Sequence, residues 1–288
     1  METVSKNILK NIYKARPSGV HKYDFGLLLV IGGSEYYSGS PALSALSAFR
    51  AGVDMVRIIA PRRAADIIAS FSPNLATLPL EGKWLEGEHL PTLIGMTKSA
   101  QAVAKGKSAV VIGGGIGRTE ETQAAVCEYL SQVAVPLVLD ADAIHAVAER
   151  PEVFKGKDFL FTPHGYEFFV LTGKEVIGKS DAEKIKIVRE EAKRLQTTIL
   201  LKGKTDIISN GGKTMVNKEG SSKLTVGGTG DTLAGIAGAL MARGTDVFQA
   251  ACAAAYINGS AGKLAAQKFG ESVLATDLIE EIPKAIKV

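Results

Sequence analysis

The chain has 288 residues, enough to bury a large core, and its 34 basic against 30 acidic side chains leave a formal charge of +4. The lysines and arginines are scattered, so no basic stripe points to nucleic acid, and no apolar run is long enough to span a bilayer. The N-terminus lacks the charged-then-apolar layout of a signal peptide, and Cys127 and Cys252 stand outside any Cys-x-x-Cys pair. Together these features predict a cytoplasmic protein with two buried free thiols and neither a nucleic-acid nor a membrane partner.

In chain order, residues 7–16 are predicted to form a short helix with Ile8, Leu9 and Ile12 on one face, ended by Pro17-Ser18-Gly19. The apolar run 26–31 has strand length and stops at Gly32-Gly33-Ser34. A helix over 40–51 and a strand over 53–60, closed by Pro61, complete a β-loop-α-β unit. The rhythm continues with a strand at 108–112, the glycine run Gly113 to Gly117, and a helix at 122–133. Strands follow at 136–140, 159–162 and 198–202, with a helix at 180–195 between the last two. Residues 206–217 are predicted to be a hairpin turning at Asn210-Gly-Gly-Lys213, and helices at 232–243 and 246–268 fill most of the remainder. Strands without polar alternation imply a sheet covered on both faces. The expectation is one three-layer α/β/α domain over residues 1–288 with a mainly parallel central sheet.

In open parallel sheets, ligands bind at the carboxyl ends of the strands. Those ends carry Gly32-Gly33-Ser34, Gly113 to Gly117, Asp140 to Asp142, Thr162-Pro-His164, Lys202-Gly203 and the loop before Asp231. The last of these is the most informative. Gly227, Gly228 and Gly230 allow a sharp turn and a close approach to a ligand, and an apolar helix begins directly after them. A helix N-terminus presents unpaired N–H groups that favour an anion such as phosphate. A carboxylate is a poor phosphate binder, so Asp231 in that first turn is expected to accept a proton from, or orient, a hydroxyl beside a phosphate. Simple N-capping is the plain alternative, but a cap alone does not need Gly-Gly-Thr-Gly before it.

The other motifs leave alternatives open. Gly113 to Gly117 has the spacing Gly-x-Gly-x-Gly rather than the dinucleotide fingerprint, so it supports a loop close to a ligand more than a redox fold. Asp140 and Asp142 could hold Mg²⁺ through water, or Asp142 could cap the following helix. His164 stands at a strand end behind a rigid proline, and Glu167 three residues on could be a first-turn helix acid. Lys202 follows an apolar strand directly, which favours the cleft edge and a phosphate over open solvent.

Taken together, the segments His21-Lys-Tyr-Asp-Phe-Gly26, Val30 to Ser34, Tyr37-Ser-Gly39, Val111 to Gly117, Leu139 to Asp142, Thr162-Pro-His164, Leu201-Lys-Gly203 and Gly227 to Gly235 resemble the ADP/ATP-dependent NAD(P)H-hydrate dehydratases of the ribokinase-like superfamily. The resemblance runs from about His21 to the last helices. It implies a phosphoryl transfer from ADP, or from ATP, to the ring hydroxyl of hydrated NADH or NADPH, followed by elimination of phosphate. It implies that Asp231 is the catalytic base, and that the N–H groups of Gly228, Thr229 and Gly230 form an anion hole. It assigns Lys202, Gly203, Lys204, Thr205, Asp206 and Gly230 to the nucleotide, and Ser40, Gly117, His164 and Asp231 to the hydrated substrate. Mg²⁺ would bridge the phosphates with water-mediated help from Asp140 or Asp142.

The chain departs from the family pattern in three places: Ser40 where many members have alanine, Thr162-Pro-His-Gly-Tyr-Glu167 with its glycine displaced, and Gly114 and Ile116 inside the glycine loop. With about twenty residues before His21, no fused epimerase domain is expected, so a separate epimerase would be the pathway partner. The resemblance also implies a homo-oligomer, a tetramer. The Ala-rich stretch 250–266 fits subunit packing or a buried core helix equally well. The nearest rival is a ribokinase-like kinase of the hydroxyethylthiazole or hydroxymethylpyrimidine type, which would stop at the phosphate ester. A regulatory nucleotide-binding module and a dehydrogenase are the readings from other classes.

Overall fold

The computed structural model describes residues 2–287. Its elements run β1 (Glu2–Thr3), α1 (Leu9–Ile12), β2 (Leu27–Ile31), α2 (Gly39–Arg50), β3 (Met55–Pro61), α3 (Arg62–Phe71), β4 (Ala76–Leu80), α4 (Leu90–Val103), β5 (Ser108–Ile112), α5 (Glu120–Gln132) and β6 (Leu137–Leu139). They continue with α6 (Asp142–Val147), β7 (Phe159–Phe161), α7 (Gly165–Thr172), α8 (Asp181–Leu195), β8 (Thr198–Leu201), β9 (Asp206–Ser209), β10 (Thr214–Asn217), α9 (Thr229–Ala242), α10 (Val247–Phe269) and α11 (Ala275–Ala285). Among the described residues, ten strands form one sheet in the order β1-β10-β9-β8-β7-β6-β5-β2-β3-β4. The block from β8 to β4 is parallel throughout, and β9 is antiparallel to both its neighbours, which makes the expected hairpin.

Helices cover both faces, and this explains strands that are apolar without alternation. Leu28, Val30, Val111 and Val138 face a core shared with α2, α9, α10 and α11. Leu27, Leu29, Ile31, Val110 and Leu137 face the opposite core with α4, α5, α6 and α8. The Ala-rich part of α10 is core helix, with Ala250 to Ala255 buried. Cys127 and Cys252 are both free and buried.

The chain winds outward from the centre in two directions, β2 to β4 one way and β5 to β8 the other. The switch point lies between β2 and β5, so a crevice opens there at their carboxyl ends. The two loops at that crevice are tied by the Gly33 N–H, which donates to the Gly114 carbonyl at 2.9 Å.

Several elements were not legible from periodicity. The helix expected over 7–16 is cut to a 3₁₀ turn at Lys6–Ile8 and the short α1. Beyond it, Tyr13 donates to Ala51 O at 3.0 Å and Arg16 pairs with Asp54, and these tertiary contacts take the chain out of helix. Helix α3 follows Pro61 with no intervening turn, β4 contains Pro79, and α11 contains Pro283. Pro79 is tolerated because β4 is an edge strand.

Helix α9 is seated by two interior glycines. A methyl group at Gly235 would overlap the Ser44 carbonyl and the Ser47 hydroxyl of α2, and one at Gly238 would lie 2.9 Å from Leu28 Cδ1. The close approach to α2 fixes the height of the α9 N-terminus above the sheet. Gly235→Ala is therefore expected to lower stability by about 1–3 kcal/mol through overpacking. Urea denaturation checks this, and an unchanged midpoint would show that the helices do not need this contact.

Candidate active site

The first turn of α9 stands over the crevice. Gly228 precedes it with φ +95°, a backbone state that costs an ordinary side chain but not glycine. The first helical bond runs from the Thr232 N–H to Gly228 O at 3.1 Å. The N–H groups of Thr229, Gly230 and Asp231 precede that bond and are left for a ligand. The turn is braced from behind by Asn258 of α10. Its amide donates to Thr229 O at 3.2 Å, and its carbonyl accepts from the Thr232 hydroxyl at 2.7 Å.

Asp231 is partly buried. The hydroxyl of Ser40, on the first turn of α2, donates to Asp231 Oδ1, and Ser44 Oγ donates to the Asp231 backbone carbonyl at 3.0 Å. Burial, and then the nearby Asp140 carboxylate, disfavour ionisation of Asp231. Ser40 and Lys202 oppose that effect, and the pKa rises from 3.8 to about 6.

Lys202 leaves the end of β8 and points under this turn. Its Nζ lies 2.9 Å from Asp140 Oδ1 and 3.6 Å from Glu167 Oε2. Desolvation pulls its pKa down, but the two carboxylates outweigh it and the net shift is upward. Asp140 Oδ1 also accepts from the buried Thr162 hydroxyl at 2.7 Å. A methyl group placed at Gly230 would lie 3.3 Å from Lys202 Nζ and 4.0 Å from Asp140 Oδ2, so the absence of a side chain at Gly230 keeps the ammonium open to the helix terminus. One ammonium thus faces three carboxylates, those of Asp140, Glu167 and Asp231.

The other expected residues divide. His164 caps α7, its Nδ1 accepting from the Glu167 N–H at 3.2 Å, while Glu167 Oε2 accepts from the His164 N–H at 2.8 Å. The imidazole remains half-exposed at the cleft rim. Gly117 has φ +84°, and its N–H donates to Asp142 Oδ2 at 3.0 Å. Asp142 Oδ1 accepts from Arg118 Nε at 2.6 Å. Both oxygens of Asp142 are therefore hydrogen-bonded in holding the glycine loop, and its side chain does not cap α6. Between the two acids, Ala141 takes φ +49°, an uncommon state for alanine, and there the chain sends the carboxylates to different partners.

In the segment after β8, Asp206 folds back to accept from the Gly203 N–H at 3.0 Å and from Asn217 at 3.0 Å. Burial raises its pKa. Thr205 Oγ1 donates to Asp181 at 3.2 Å, whereas Gly203 and Lys204 are exposed. Asp206 thus shapes the turn, and Lys202 is the member of this stretch that lies beside Gly230 at the start of α9. Asn258 carries no motif signal, and Thr162 was quoted only as part of a motif. Tyr37 was quoted only as part of a motif, yet it packs on Gly115, and Asp231 helps to raise its pKa after burial. Among the described residues, no group of three or more His, Cys, Asp and Glu side chains is arranged to hold a metal.

The raised pKa of Asp231 has a stability consequence with a definite sign. The ionised form is penalised in the folded state, so that penalty is present above pH 6 and fades as the pH falls towards 4 and the proton returns. Asp231→Asn is expected to stabilise the fold by about 1–3 kcal/mol at pH 8 and by much less at pH 4.5. Urea melts at the two pH values check this, and a destabilised variant at pH 8 would contradict it.

A sequence profile described as NAD(P)H-hydrate dehydratase matches residues 28–284. The ADP-dependent (S)-NAD(P)H-hydrate dehydratase of Nitrosopumilus maritimus is 36% identical over 99% of this chain and 97% of its own length. The bifunctional NAD(P)H-hydrate repair enzyme of Pyrobaculum aerophilum is 42% identical over 92% of this chain, but over 51% of its own length. The chain spans about half the length of the bifunctional relatives that it matches. The solved ADP/ATP-dependent NAD(P)H-hydrate dehydratase of Bacillus subtilis superposes with a TM-score of 0.83 at 24% identity, covering 99% of this chain and 97% of that one. The fold is the ribokinase-like one expected from the motifs. With its crevice at the β2–β5 switch point and its glycine-rich turn ahead of Asp231, the chain belongs to the NAD(P)H-hydrate dehydratase family.

Proposed function

We propose that this protein dehydrates hydrated NADH and NADPH back to the reduced dinucleotides, with ADP as phosphoryl donor. The observation that carries the reading is the Asp231 carboxylate, raised towards neutrality beside Lys202 at the N-terminus of α9. A base with a pKa of about 6 is mostly ionised at pH 7 and still basic enough to take a proton in the transition state.

In the proposed reaction the substrate's ring hydroxyl meets Asp231, which accepts its proton. The hydroxyl oxygen attacks the terminal phosphorus of ADP, and the bond to the bridging oxygen breaks to release AMP. Lys202 and the N–H groups of Thr229, Gly230 and Asp231 offset charge on the transferring group. Phosphate then leaves the ring carbon with the C–O bonding electrons while the adjacent carbon loses a proton, which restores the double bond. Lys202, Gly203, Lys204 and Gly230 would hold the nucleotide, with Thr205 and Asp206 setting the turn, and Ser40, Gly117 and His164 would contact the hydrated dinucleotide.

Mg²⁺ fits this site through one residue. Asp140 Oδ2 lies near the α9 N-terminus, while Oδ1 is held by Lys202 and Thr162. Such a cation would keep most of its waters and neutralise phosphate charge that the carboxylates would otherwise repel. On the same reading the enzyme works in the cytoplasm as a homo-oligomer, a tetramer, alongside a separate epimerase. No helix among the described residues is long and apolar enough to cross a membrane.

The test mixes purified protein with hydrated NADH, Mg²⁺ and ADP and follows the near-ultraviolet absorbance of reduced nicotinamide, with parallel runs using ATP or no nucleotide. Recovery that requires nucleotide and releases phosphate is expected, fastest with ADP. Accumulation of a stable phosphate ester would instead indicate a small-molecule kinase. Asp231→Asn is expected to lower turnover by about 10²–10⁴-fold, and near-wild-type turnover would remove Asp231 from the mechanism. In the wild type, kcat/KM should be flat from pH 7 to 8 and fall about tenfold per unit well below pH 6, as the base becomes protonated. A profile flat down to pH 4.5 would contradict that role.

A further inference from the structure

An aromatic pair lies along the glycine loop, outward from Asp231. Gly114 is beside the reacting end: a methyl group there would lie 3.1 Å from Asp231 Oδ1. One residue on, Gly115 carries the Tyr37 ring, 2.7 Å from where a methyl would stand, and Gly117 carries the Trp84 indole, whose Cε3 lies 2.8 Å from the same hypothetical atom. Trp84 in turn meets Tyr36 edge to face, with ring centroids 5.5 Å apart and an interplanar angle of 62°. Tyr36 is 80% exposed. The path from Gly114 to Gly117 spans three residues, at most about 10 Å.

The loop that bears Trp84 is held rigid. Buried His89 accepts from the Glu86 N–H through Nδ1 at 3.0 Å, which leaves the proton on Nε2 to donate to Glu81 O at 2.8 Å. One imidazole thus staples both ends of residues 81–86, and Leu85 is buried between them. The Glu35 N–H donates to Lys83 O at 2.8 Å and joins this loop to the one bearing Tyr36. Two rigid loops therefore present an exposed aromatic shelf, although an exposed tyrosine and a half-buried indole have no packing need for such bracing.

We infer that Trp84 and Tyr36 form a stacking platform for the adenine of the dinucleotide substrate, the heterocycle farthest from the hydroxyl at Asp231. The inference rests on the dehydratase reading. That reading puts one ring of a two-ring molecule at Asp231, and the shelf lies further along the same loop for the other ring. Aromatic faces suit a purine because stacking needs no hydrogen-bond code.

Trp84 is the single tryptophan of the chain, so its fluorescence reports directly on the shelf. Wild-type protein, with AMP present to fill the nucleotide site, would be titrated with NAD⁺ and with nicotinamide mononucleotide, which lacks the adenosine. Saturable quenching by NAD⁺ and none by the mononucleotide is expected; equal quenching by both, or by neither, overturns the assignment. In steady-state assays Trp84→Ala is expected to raise KM for hydrated NADH about tenfold, the scale of one base–aromatic stack, with a smaller effect on kcat. KM for ADP should not change, and Trp84→Phe should restore most of the loss. A KM for hydrated NADH within twofold of wild type in Trp84→Ala also overturns it. Wild-type turnover judges the dehydratase reading separately, so that reading stands if only the stacking assignment falls.

Discussion

The site depends on one ammonium among three carboxylates. Lys202 lies between Asp140, Glu167 and Asp231, and each of these acids sits at the end of a different strand or the start of a different helix. Without Lys202, Asp140 and Glu167 would be buried charges with no cation, an arrangement that costs several kcal/mol. With it, Asp140 and Glu167 are paired, and Asp231 keeps a raised pKa because it is buried and because one cation does not neutralise all three. In the proposed reaction, the same residual negative charge would favour Mg²⁺ accompanying the anionic nucleotide.

The fold makes this convergence cheap. A parallel sheet puts the carboxyl end of every strand, and the N-terminus of every following helix, on one edge. The switch between β2 and β5 opens that edge, and Gly235 and Gly238 let α9 settle close to α2 and the sheet, so that Asp231 reaches Ser40. Asn258 braces the turn from α10, and Asp142 braces the glycine loop from α6. The reactive groups are thus positioned by rigid elements that meet at the crevice.

Much of this was legible in the sequence. The strands at 27–31 and 108–112 and the hairpin over 206–217 announce themselves as apolar runs with glycine punctuation. Asp231 stood out because its glycines exceed what a cap needs. What escaped was encoded in three dimensions or masked by proline. Pro79 and Pro283 lie inside regular elements, and Pro61 joins β3 to α3 without a turn. Glu167 was legible as a first-turn acid, which it is, but its second role opposite Lys202 appears only when β7 and β8 are side by side. Asp142 carries the same local signal as Asp140, yet the backbone reversal at Ala141 gives it a structural partner. Trp84 and His89 lie in a stretch with no readable period.

The central claim is that burial and Asp140 hold Asp231 near neutrality while Lys202 keeps it from rising further. The most direct measurement is a ¹³C NMR titration of the aspartate carboxyls, with Asp231 assigned by its loss in Asp231→Asn. A midpoint near pH 6 in the wild type, moving higher in Lys202→Met, is the predicted result. A midpoint near 4 in both proteins would contradict the account, because Asp231 would then be an ordinary solvated carboxylate with no electrostatic tie to the cluster beneath it.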